Sequence, residues 1–100
     1  MNMYNKSFKN VKELYKFMQE GDYTFSSIII DKVLQNIEDE EEEIVVGILF
    51  DEDEKINYEI TVEWHDMVET LEAHLEILED YEDFERCSKV RDGIKKLLDE

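Results

Sequence analysis

Asp22 to Glu43 reads DYTFSSIIIDKVLQNIEDEEEE, and the size of the sheet turns on whether this stretch is helix or strand. Phe25, Ile29, Val33 and Ile37 recur every four residues, which suits one face of a helix. The same positions also share one side of a strand. Ile28, Ile29 and Ile30 are consecutive β-branched residues, stiff at χ1 and at home in a pleated sheet. The six acids from Glu38 to Glu43 sit poorly at a helix C-terminus, which carries partial negative charge. These two features favour strand for residues 25–37, with helix as the alternative.

The flanking segments read more simply. Glu43 to Asp51, EIVVGILFD, is a short apolar run rich in β-branched residues, a buried strand. From Lys55 the pattern alternates: Ile56, Tyr58, Ile60, Val62 and Trp64 fall on one side, Asn57, Glu59, Thr61 and Glu63 on the other. That is a half-exposed strand, and the DEDEK between the two is short enough for a hairpin loop. Upstream, residues 7–20 predict a helix. Ser7 is its cap, Phe8, Val11, Leu14, Tyr15 and Met18 are its buried face, and Gly21 ends it. Downstream, Met67, Val68, Leu71, His74, Leu75, Leu78 and Tyr81 form one helical stripe. Phe84, Cys87, Val90, Arg91, Ile94, Leu97 and Leu98 form a second, with Asp83 as its cap. A link of two or three residues folds these helices back on each other. The expected architecture is one α+β domain over residues 1–100: a helix at 7–20, an antiparallel sheet of two to three strands within 25–64, and a helical hairpin at 65–98.

One hundred residues, 42% of them apolar and eleven of them aromatic, describe a folded domain with a modest core. No apolar run is long enough to span a bilayer. The first ten residues, MNMYNKSFKN, lack a signal core. A single cysteine, Cys87, excludes an internal disulfide. Both features point to a cytoplasmic protein. Net charge is −17, unevenly spread. Residues 1–20 carry four bases and two acids, +2; residues 21–64 carry two and fourteen, −12; residues 65–100 carry five and twelve, −7. Such a surface repels phosphate backbones and anionic membranes. It therefore argues against direct nucleic-acid or membrane binding and permits a basic protein partner.

The last stretch, DFERCSKVRDGIKKLL, resembles the second helix of the UVR motif of UvrB/UvrC-type excision-repair proteins. The matching positions are Phe84, Glu85, Cys87 at the small position, Val90, Arg91, Asp92, Ile94 and Leu97. Leu71, Leu75 and Leu78 match the leucines of the motif's first helix, so the likeness covers roughly Met67 to Leu98. Members of that family use the hairpin to bind protein, which implies docking rather than chemistry here. Two short helices bury only one side of each other, so an apolar edge must be covered by the same chain, a second copy or a partner. Tyr81, Phe84, Val90 and Ile94 are the candidates for that edge, with Glu85 and Arg91 as directional charges. Family members carry the hairpin as an appendage on larger machines or beside zinc-binding cysteines, and neither is expected from these hundred residues. Gly93 falls in mid-helix, either marking a close helix approach or weakening the helix end.

His65 with Asp66, and His74 with Glu76, are too few for a metal site. The DEDEKINYE stretch lacks the glycine and ligand spacing of a calcium loop. No phosphate loop, dinucleotide fingerprint or nucleophile elbow is present, so neither an enzyme nor a cofactor is expected. The function expected is an adaptor or regulator that docks on protein, a second copy of the chain included. The alternative is an acidic inhibitor that imitates nucleic acid. In that case Glu38, Asp39, Glu40, Glu41, Glu42 and Glu43, together with Asp51, Glu52, Asp53 and Glu54 and the acid face of residues 66–83, stand in for phosphates.

Overall fold

The computed structural model describes residues 3–99. The chain runs β1 (Tyr4–Phe8), α1 (Val11–Glu20), α2 (Tyr23–Asp39), β2 (Glu43–Asp51), β3 (Ile56–Glu63), one 3₁₀ turn (Trp64–Asp66), α3 (Met67–Asp80) and α4 (Phe84–Leu98). The fold is α+β, and α3 and α4 pack as a hairpin.

Residues 25–37, expected in a strand, lie in the 17-residue helix α2. Asp22 caps it by accepting from the Phe25 amide at 2.8 Å. The isoleucine run is tolerated because tertiary burial outweighs intrinsic propensity. Phe25, Ile29, Ile30, Val33 and Ile37 are all buried, on a stripe too wide for one contact. That stripe packs against β2 on one side and against α3 and α4 on the other. The acid run does not burden the helix end, because most of it lies beyond the end. Glu40 takes a left-handed conformation (φ 56°), and its N–H donates to the Asn36 carbonyl. The buried Asn36 side chain then accepts from the Glu41 N–H and donates to the Glu41 carbonyl, both at 3.0 Å. This clasp turns the chain out of α2 and into β2.

The sheet takes its third strand from the N-terminus instead. Ser7 and Phe8 belong to β1, and the cap of α1 is Asn10, which accepts from the Glu13 amide. Gly21 ends α1, as expected. Tyr15 and Met18, expected on the buried face of this helix, are exposed; Leu14 is buried and Phe17 half-buried. Strand order is β1-β2-β3. The β2–β3 pair is antiparallel, as the hairpin pattern requires, but β1 pairs parallel to β2, so the sheet is mixed. A register shift between Val45 and Gly47 accompanies the complete burial of Val46. No helix among the described residues is long and apolar enough to cross a membrane.

Candidate functional site at the hairpin turn

Helix α3 stops at Asp80 with a two-bond C-terminal motif. The Asp83 N–H donates to the Leu78 carbonyl at 2.9 Å and the Glu82 N–H to the Glu79 carbonyl at 3.0 Å. Glu82 occupies the left-handed position, φ 58°, usually taken by glycine. Asp83 caps α4 through the Arg86 amide.

The turn is anchored to α2 by one polar cluster. The Arg86 guanidinium grips Asp31 in two-pronged fashion, Nε to Oδ1 at 3.0 Å and Nη2 to Oδ2 at 2.9 Å. Its Nη1 donates to Asp83 Oδ2 at 2.8 Å, and the Tyr23 hydroxyl donates to the same oxygen at 2.7 Å. The Tyr23 hydrogen bond, then the Arg86 contact, hold the Asp83 carboxyl below the usual carboxylate range. The same bond to Asp83 pushes the Tyr23 phenol up. Hydrogen bonds to Asp31, then to Asp83, raise Arg86 further above its already high value. The sequence reading assigned directional charge to Arg91 and missed Arg86. Its partners on α2, Asp31 and the Tyr23 hydroxyl that accepts from Nη1 at 3.4 Å, are 55 and 63 residues away, and only the helical α2 brings them near.

The six residues expected to bind a partner divide into two groups. Val90 is fully enclosed, and Ile94 is partly buried and packs against the core, so Val90 is unavailable and Ile94 keeps only part of its surface. The physical reason is α2: read as a strand, it left the hairpin uncovered, whereas as a helix it supplies the missing lid. Tyr81 and Phe84, in contrast, are 64% and 66% exposed. The Tyr81 ring lies 5.0 Å from that of Tyr23, which holds it while leaving most of it in water. Glu85 and Arg91 are exposed. Seven residues is nearly two whole turns, so Phe84, Arg91 and Leu98 fall in line along α4 over about 21 Å. Leu98, 69% exposed, extends the line. It was placed on the core stripe from sequence, where a terminal leucine at helical spacing gives no sign of facing outward. Cys87 is buried, and burial pushes its thiol up, which fits a packing role.

The acidic residues of the alternative reading sit at the two ends of β2. Glu38 to Glu43 run from the last turn of α2 to the first residue of the strand, and Asp51, its last residue, leads into the hairpin loop with Glu52 to Glu54. Eight strand steps separate Glu43 from Asp51, about 26 Å. All but Asp51 are exposed. Asp51 is buried, and its Oδ1 accepts from the amides of Asp53 and Glu54, so it shapes the loop instead of presenting charge. Along α3, Glu69, Glu72, Glu76 and Glu79 are exposed, four charges over about 15 Å of helix.

Donor atoms of Glu63, His65 and Asp66 converge within 4.8 Å. His65 Nε2 lies 3.3 Å from Glu63 and 3.5 Å from Asp66, so contacts among the three side chains account for the cluster. His74 faces Ser26 rather than Glu76, Nδ1 to Oγ at 2.8 Å, and burial lowers its pKa. A neutral imidazole sharing a hydrogen bond with a buried hydroxyl is the consequence. Comparison of the chain with known protein families, with characterised proteins and with solved structures gives no match.

Proposed function

We propose that this chain is a non-enzymatic adaptor or regulator that docks on a protein partner through the α3–α4 turn and the outer face of α4, in the manner of the UVR-type hairpin it resembles. The observation that carries this reading is the pair Tyr81 and Phe84. Two aromatics, each about two-thirds exposed, stand three residues apart on a turn fixed to α2 by the Arg86 cluster. Rigid exposed aromatics with a neighbouring arginine are the residues that dominate binding energy at protein interfaces. Glu79, Asp80, Glu82 and Glu85 surround them, all exposed, so the complementary surface is an apolar pocket with a basic rim. A reducing compartment such as the cytoplasm suits the lone buried Cys87.

The test is affinity capture from the native host with the parent protein and a Tyr81→Ser/Phe84→Ser variant. Loss of the captured partner with the variant, at unchanged thermal stability, supports docking through the turn. Equal capture by both proteins rules it out. A second reading, inhibition by imitation of nucleic acid, is favoured by the carboxylate row on α3 and the acidic loops at the ends of β2. It expects capture to survive the aromatic substitutions, to fall steeply with salt, and to be competed by DNA or RNA.

A further inference from the structure

A groove on another face of the molecule offers a second binding site. Two adjoining cavities, of about 660 and 360 Å³, lie along α3. One wall is α3 from Asp66 to Asp80; the other is the outer edge of β3 at Ile60–Val62, followed by the last turn of α1. Phe25, Ser26 and Ile29 of α2 also line it.

Three features bear on what would fill it. First, β3 is an edge strand whose outer side has no strand partner. Such an edge is a template for an added strand unless lysine, proline or a covering segment blocks it. Ile56–Glu63 contains neither residue. Second, the carboxylates are the charged side chains of the lining. Asp66, Glu69, Glu76 and Asp80 on α3 and Glu20 on α1 contribute carboxylates, and no lysine or arginine among the described residues lines either cavity. The C-terminal end of α1, with no basic residue in its last turn, adds partial negative charge. Third, apolar surface from Phe25, Ile29, Val62 and Ile77 lies between these charges. The α3 wall spans fourteen helical steps, about 21 Å, the length of about six extended residues.

We propose that this groove takes an extended segment of a protein partner in which basic and apolar residues alternate. The segment adds to the β3 edge at Ile60–Val62, sends its apolar side chains toward α2 and its cations toward the α3 carboxylates. The groove and the hairpin turn meet only at Asp80, and either can fail without the other.

The probe is a fluorescein-labelled hexapeptide of alternating lysine and valine, followed by anisotropy and by amide chemical shifts. Saturable binding is expected, with the largest shifts at Ile60, Thr61 and Val62. Ala73 is exposed and lines both cavities, so Ala73→Trp obstructs the groove without entering the core. It should weaken binding at least tenfold, about 1.4 kcal/mol. Glu76→Gln with Asp80→Asn should weaken it several-fold, and Tyr81→Ser with Phe84→Ser should leave it unchanged. Lack of saturation at about 1 mM peptide overturns the proposal. Equal binding to the folded Ala73→Trp protein does the same, since it means attraction to the acidic surface at large. Equal affinity for hexylammonium means a small-cation pocket and also overturns it.

Discussion

Replacing Gly93 by alanine sets two opposed effects against each other, and the outcome reports whether α2 is the cover of the hairpin. In an exposed helix, alanine for glycine gains about 1 kcal/mol. At Gly93 an added Cβ would lie 2.7 Å from Leu34 Cδ2, 3.1 Å from Ile37 Cδ1 and 3.7 Å from Leu71 Cδ1. Carbon atoms prefer about 3.5–4.0 Å, so the first two contacts are too short. Leu34 is half-buried and its methyl group can swing away, whereas Ile37 is held in the core. Forcing a methyl group into a packed core costs about 1–3 kcal/mol. The expected net result is destabilisation by about 1 kcal/mol, read as a lower denaturation midpoint at unchanged m-value and a melting temperature about 4–8 °C lower. Leu34→Ala removes the closest contact. In that background Gly93→Ala should become neutral or stabilising, a coupling of about 1 kcal/mol or more between positions 34 and 93. A Gly93→Ala protein stabilised by the full helical gain would refute the reasoning. It would mean that α4 is not pressed against α2 and that the hairpin face is free.

Further outcomes follow from the polar contacts. Asn36→Ala removes two hydrogen bonds to the Glu41 backbone and should cost about 1–3 kcal/mol in urea denaturation. Glu82→Gly relieves a left-handed non-glycine residue and should stabilise by about 1 kcal/mol in the same assay. His74 has a lowered pKa when folded, so the unfolded chain binds the proton more readily. Stability should therefore fall as pH drops below about 6.5. Denaturation midpoints at pH 7.5 and 5.5 should differ less for His74→Gln than for the parent.

Periodicity in the sequence carried the β2–β3 hairpin and the two C-terminal helices, because alternation over Ile56–Trp64 and helical spacing over Met67–Leu98 are local signals. It failed where long-range packing decides. Β-branched isoleucines 28–30 pointed to a strand, yet a helix buried on two sides accepts them, and its end is fixed by a contact between Asn36 and Glu41 that composition does not announce. The end of strand Tyr4–Phe8 reads as the start of the following helix because Phe8 fits both periods, and residues 4–6 carry no strand signal because Asn5, Lys6 and Ser7 are exposed. Its pairing partner lies about forty residues away. The candidate site was legible in part for the same reason. Tyr81, Phe84, Glu85 and Arg91 lie on the surface as expected. With α2 missing from the account, the full burial of Val90 and the partial burial of Ile94 could not be read, and Arg86 could not be singled out without Asp31 opposite it.

The most direct test of docking through the turn is photo-crosslinking in host cells. A p-benzoylphenylalanine residue replaces Phe84 in one protein and Glu54, at the far end of the sheet, in another. The account expects a discrete covalent adduct with one protein from position 84 and none from position 54. An adduct from position 54 with none from position 84 would contradict it.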